Sequence, residues 1–225
     1  MNRFLLPVFA LFSIGAAAAE LNALTPEEKA AGWKLLFDGK DPAANFRGYN
    51  KDKLPDGWVA EGGALVRKKG GGDIVTKEKY ENFELSIDWK ISEGGNSGIM
   101  YRVQESKDPP WYTGPEVQLQ DNIKGHDPQK AGWLYQFYQT DKDTTKPVGE
   151  WNNIRIILDH NKCQHWMNGT KYVEYEIGSP DWNERFSKSK FAKMEGFAKT
   201  PLGHICLQDH GNEVAFRNIK IRVIK

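Results

Sequence analysis

Apolar and polar residues alternate with a period of two along most of this chain. In "FELSIDWKI", Phe83, Leu85, Ile87, Trp89 and Ile91 fall on one side and Glu84, Ser86, Asp88 and Lys90 on the other, the pattern of a strand with one face toward a core. "SGIMYRVQ", "PEVQLQ", "WLYQFYQ", "NIRIILD" and "CQHWMNGTKYVEYEI" repeat it. The last of these breaks at Asn168-Gly169, a dipeptide that tolerates the left-handed backbone of a tight hairpin turn. Helical signals are sparse. Thr25, Pro26, Glu27 and Glu28 ahead of Gly32 predict one short helix. Residues 179–197 are rich in Ser and Lys and predict a loop with a helical turn. With no βαβ spacing, internal repeat or linker, the expectation is all-β: one antiparallel jelly-roll β-sandwich over residues 20–225.

Residues 1–19, "MNRFLLPVFALFSIGAAAA", break the alternation. A basic start at Arg3, an apolar run from Phe4 to Ile14 and small residues up to Ala19 read as a secretory signal. The run is shorter than the roughly 20 residues a bilayer span takes, so a cleaved signal is expected, with the mature chain starting at Glu20 and exported to a periplasmic or secreted location, free of the membrane. The formal net charge is +1, which supplies no electrostatic pull toward nucleic acid. Cys163 and Cys206 are the only cysteines. Export permits a disulfide between them, but both fall on strands with no geometric reason to meet, and the thiols are expected free.

Strand parity also sorts the polar residues. Ile99, Tyr101 and Val103 point one way and Met100, Arg102 and Gln104 the other; Val117 and Leu119 oppose Glu116, Gln118 and Gln120; Ile205 and Leu207 oppose His204, Gln208 and His210. Glu84, Ser86, Asp88 and Lys90 are the charged mixture of plain surface. The other three strands carry amides, imidazoles and a guanidinium, whose fixed donors and acceptors match the vicinal hydroxyls of a sugar. The candidate binding residues are therefore Arg102, Gln118, Gln208 and Asp121, with Trp111 in the loop "KDPPWYTGP" as a stacking ring. Glu116 and His210 are the candidate acid and base. No serine elbow, zinc-ligand spacing, EF-hand loop or phosphate cradle is present, so no metal or cofactor is expected. Glu116, Gln118 and Asp121 depart from the alternating carboxylates of a glucanase strand, which argues against ordinary retaining hydrolysis by two close carboxyls.

"GWKLLFDGKD", "GGNSGIMYR", "GPEVQLQDN", "GEWNNIRI", "HWMNG" and "GHICLQDHGNEVAFRNIKIR", in that order, resemble the 3-keto-disaccharide hydrolase domain family. The likeness runs from about Gly32 to Arg222. It implies a concanavalin A-like fold of the lectin and glucanase type and a sugar-binding cleft. It also implies a chemistry: a 3-keto group acidifies the C2 hydrogen, so a base and an acid can expel the C1 oxygen by β-elimination, and water then adds. Glu116 and His210 would share those roles, with Arg102 and Gln208 on the oxyanion. Cys206 stands where the family motif would carry a small residue. The alternative implied by the same fold is a non-catalytic, lectin-like carbohydrate-binding module.

Overall fold

The structure, a computed structural model, describes residues 20–225; the secretory-signal reading of residues 1–19 lies outside them. The chain runs through α1 (Pro26–Ala30), β1 (Lys34–Leu35), β2 (Phe46–Gly48), β3 (Trp58–Glu61), β4 (Ala64–Arg67), β5 (Ile74–Thr76), β6 (Phe83–Ile91), β7 (Asn96–Val103), β8 (Glu116–Gln120), β9 (Asn152–Asp159), β10 (Lys162–Met167), β11 (Thr170–Glu176), α2 (Pro180–Lys188), β12 (His204–Leu207) and β13 (Val214–Val223). The strands form two antiparallel sheets. One has the order β11-β10-β9-β6-β13-β4-β3, with β1 also on β13; the other has the order β2-β5-β12-β7-β8. This is the expected antiparallel sandwich.

The alternating apolar residues are what hold the sheets face to face. Phe83, Leu85, Ile87 and Trp89 of β6 pack with Ile99, Val117, Leu119, Ile205 and Leu207 of the facing sheet, all essentially inaccessible to water. Each such side chain contributes about 1.5–3 kcal/mol on burial. Two buried tyrosines, Tyr101 of β7 and Tyr175 of β11, join the sheets through their hydroxyls. The opposite parity of β6 is less plain than its charges imply. Glu84 is buried between Arg155 and Arg222, whose Nε donates to it at 2.6 Å. The hairpin turns at Asn168 and Gly169, both with positive φ (48° and 79°).

The local expectations fail in three places, each for a tertiary reason. α2 is a formed helix and not a loop with a turn: Ser179 caps it by accepting from Trp182 N at 3.2 Å, and Trp182 is buried against Phe137, with ring centroids 4.6 Å apart. "WLYQFYQ" is not a regular strand. Gln136 has φ +64° and the chain doubles back there, with Tyr138 N bonded to Leu134 O. Within β7, Arg102 sits at φ +59° in a bulge, where the pairing with β12 slips between His204↔Val103 and Cys206↔Met100. Beyond that bulge the parity of the strand is inverted. Cys163 and Cys206 are both free and buried, on different sheets.

Candidate active site

The register of the five-stranded sheet decides which side chains meet on its outer face. Cys206 pairs with Val75 on one side and Met100 on the other, and Met100 pairs with Glu116. Tyr135 N donates to Glu116 O at 2.9 Å, so a transverse row reads Val75, Cys206, Met100, Glu116, Tyr135. Two residues along each strand, Gly98 pairs with Gln118, Gln208 N donates to Gly98 O at 2.9 Å, and Gln118 N donates to Trp133 O at 3.0 Å. Continuing the Leu207↔Ile74 register by one residue sets Asp73 opposite Gln208, and Asp209 N reaches Asp73 Oδ1 at 2.8 Å. The second row therefore reads Asp73, Gln208, Gly98, Gln118, Trp133. Neighbouring strands lie about 4.8 Å apart, so Asp73, Gln208 and Gln118 of the second row, with Glu116 from the first, form a polar strip.

Half of this face is closed. Val75, Met100, Val103 and Cys206 make a small dry cluster covered by Tyr49 and Trp111. Trp111 is half-buried there, and Lys190 Nζ lies 5.6 Å from its ring centroid and 4.3 Å from that of Tyr135. Tyr135 in turn donates to Asp127 Oδ2 at 3.0 Å.

Glu116 is the electrostatic centre of the strip. Its carboxyl folds back over Gly98, where a Cβ would lie 2.4 Å from Glu116 Oε1. Burial pushes its pKa up to about 8; the Lys190 ammonium and the Gln208 amide pull it down, and the Asp127 and Asp73 carboxylates push it further up. At neutral pH it is therefore largely a protonated acid. Asp73 is also displaced, to about 6: burial raises it, the bond from Asp209 N holds it down, and the Asp209 carboxylate adds to the rise against the pull of His210. The Oε1 atoms of Gln118 and Gln208 are buried and find no hydrogen-bond partner among the described residues. Such groups are rare in native interiors.

Of the expected site residues, Glu116, Gln118 and Gln208 come together as the parity reading implies. His210 adjoins them on an exposed loop. That loop is pinned through Asp209, which pairs with Arg67 Nε at 2.6 Å and accepts from Gly71 N and Gly72 N at 3.2 and 3.1 Å. Arg102 does not join them. The bulge turns it to the end of the sandwich, where its guanidinium donates to Ala198 O (3.0 Å), His160 O (2.7 Å) and Asn161 Oδ1 (2.9 Å). Asp121 is likewise spent on structure: its carboxylate accepts from Gly94 N, Ile123 N and Lys124 N at 2.9, 2.9 and 3.2 Å, and these bonds help hold its pKa down against burial. His204 shares the outer face but gives Nδ1 to Thr76 O at 2.7 Å. Parity reasoning passed over Asp73, Tyr135 and Lys190. Asp73 had a usable signal, since it stands two residues before Val75 at a strand entry; the other two come from irregular segments whose path only the fold defines.

Residues 32–222 match the family model described as the 3-keto-alpha-glucoside-1,2-lyase-like domain. A 3-keto-disaccharide hydrolase of Bacteroides thetaiotaomicron is 34% identical, over 95% of this chain and 86% of the relative. Among solved structures, a proposed glycosyl hydrolase of Parabacteroides distasonis superposes with a TM-score of 0.85 at 36% identity, covering 92% of this chain and all of that one. A second proposed glycosyl hydrolase of the same organism gives 0.61 at 29% identity, covering 80% and 99%.

Proposed function

Because the chain belongs to the 3-keto-alpha-glucoside-1,2-lyase-like domain family, we propose that it cleaves 3-keto glycosides, disaccharides among them, by acid–base β-elimination followed by hydration, and that it does so after export. The family makes it a carbohydrate-active enzyme; the mechanism is argued from the strip. A 3-keto sugar needs three things to lose its C1 substituent: a base for the C2 proton, an acid for the departing oxygen, and donors for the enolate oxygen.

The buried Glu116 carboxyl, folded over Gly98, is the observation that carries this reading. A carboxyl held near pH 8 by burial can hand a proton to a leaving alkoxide at neutral pH. Gln208 and Gln118 flank it with amide groups in a fixed geometry, and Lys190 brings a cation close by. A purely lectin-like site has no need for a carboxyl kept protonated at that cost. Two groups beside the strip could take the C2 proton, His210 and Asp73.

The test is aglycone release from a 3-keto disaccharide and from its unoxidised parent, with Glu116→Gln beside the wild type. Release is expected only from the keto sugar, falling by roughly 10²- to 10⁴-fold in the variant, the usual worth of general acid–base catalysis. A protein that binds the keto sugar but never releases its aglycone would be a binding module.

A further inference from the structure

The elimination needs a base that is both ionised and fixed in place. We propose that Asp73 is that base, a catalytic carboxylate that faces Glu116 across the Gln208 amide. The inference rests on the β-elimination reading and assigns the step that reading leaves open.

Asp73 is placed by the sheet itself. It enters β5 in the row of Gln208, Gly98 and Gln118, and its backbone carbonyl holds Tyr49 N at 2.9 Å. Its Oδ1 accepts from Asp209 N at 2.8 Å. The second oxygen takes no hydrogen bond from the described residues and is the one available to a substrate. Asp73 also opens into a cavity of about 360 Å³, lined with Tyr49, Lys51, Gly72, Lys107 and Pro110, within the size range of small-ligand sites. His210 is exposed, and its ring has no hydrogen bond to set its direction among the described residues.

The electrostatics agree with this assignment. Burial, helped by the Asp209 carboxylate and opposed by the Asp209 N–H and His210, holds Asp73 near 6, while burial holds Glu116 near 8. Between those values one carboxyl is ionised and the other protonated, the states a base and an acid need. Asp209 is turned toward Arg67, and Lys51, Lys107 and Asp108 line the same cavity as Asp73.

The proton balance closes with these two groups. Asp73 takes the C2 proton, and the C–H pair moves into the enolate. The enolate collapses to a C1–C2 double bond as the C1–O bond breaks, and the departing oxygen takes the Glu116 proton. Water then enters the vacated place, gives a proton to the Glu116 carboxylate and bonds to C1, while Asp73, after exchanging its proton with solvent, returns one to C2. One water is consumed, both carboxyls are restored, and no oxidant or reductant is needed.

The experiment follows C2 directly. A 3-keto methyl glucoside is incubated with enzyme in D₂O, and deuterium incorporation at C2 is read by NMR alongside methanol release. Asp73→Asn keeps the Oδ1 acceptor for Asp209 N, so its melting temperature should stay close to that of the wild type. Its C2 exchange should drop by about 10²-fold or more. In Glu116→Gln, by contrast, the ratio of exchange to release should rise. If Asp73→Asn melts early, the wild-type pH profile of exchange decides instead: the rate should climb as pH rises through about 6. Wild-type exchange in a folded Asp73→Asn, or loss of exchange in His210→Gln alone, overturns the assignment while β-elimination stands. Release without any exchange in the wild type overturns β-elimination, and Asp73 with it.

Discussion

The carboxyl of Glu116 rests on the bare backbone of Gly98, its diagonal neighbour across β7 and β8: a Cβ at 98 would lie 2.4 Å from Oε1 and 2.9 Å from Cγ and Cδ. Real Cβ atoms do not approach that closely. The missing side chain lets the acid lie flat on the sheet, where protein and not water surrounds it, and that burial is the main cause of its raised pKa. The glycine in "NSGIMYR" thus serves the chemistry of a residue eighteen positions later.

Gly98→Ala should accordingly disable the acid without unfolding the sheet. Its backbone is not in the left-handed region, so alanine fits the strand and the steric cost falls on Glu116. Expelled toward water, the carboxyl should return toward ordinary acidity, and the basic limb of the kcat/KM profile should move to lower pH. Turnover at neutral pH should fall by at least about tenfold, since one pKa unit is one decade of the protonated form once it is scarce. The pH–rate profile checks this.

Glu116→Gln should be more stable than the wild type at neutral pH. The folded pKa is raised above the unfolded one, from 4.5 to about 8, so above pH 4.5 the unfolded chain releases a proton that the folded chain keeps. Stability from this group is greatest below 4.5 and is lost as pH rises to about 8. Removing the carboxyl should recover on the order of 2–3 kcal/mol at pH 7, seen as a higher Tm in a protein whose turnover has fallen. Equal or lower stability at pH 7 would contradict the burial argument.

His165 predicts the opposite trend on the acid side. It is fully buried, with Nδ1 donating to Gly132 O at 3.0 Å and Nε2 accepting from the Tyr175 hydroxyl at 2.9 Å; Tyr175 is bonded on to Tyr101. Burial lowers its pKa from 6.5 to about 4. Below 6.5 the unfolded chain takes up a proton that the folded one refuses, so stability falls between about pH 6.5 and 4, by roughly 3 kcal/mol in total. His165→Gln should flatten that part of the stability curve measured by denaturant titration at stepped pH.

Arg102→Ala should behave as a structural change. The substitution orphans the buried Ala198 carbonyl and removes the partners of the more exposed His160 carbonyl and Asn161 side chain, a loss of roughly 1–3 kcal/mol. The KM of the folded protein for a 3-keto glycoside should not move. A raised KM with an unchanged melt would return Arg102 to the binding face.

How far the sequence reaches can be read at single residues. Period-two alternation determined that Phe83, Leu85, Ile87, Val117, Leu119, Ile205 and Leu207 face a core, because burial on a pleated strand obeys parity alone. The same parity set Glu116, Gln118 and Gln208 on a common outward side, and the ordered motifs that fill those strands determined the family. Parity fails where pairing shifts. One extra residue in β7 inverts everything beyond it, and no local signal at Arg102 marks that bulge; it shows only in the pairing with β12, beside Gly203, where a Cβ would lie 2.5 Å from the Arg102 Cα. Asp121 offers a similar lesson, since an acid at a strand end serves either a ligand or its own loop, and only the three backbone donors aimed at it decide which. The acidity of Glu116 and the position of Asp73 across from Gln208 belong to the tertiary structure as well. Both depend on which strands lie side by side and on how much water is excluded, and those are properties of strand order, which alternation along one chain does not encode.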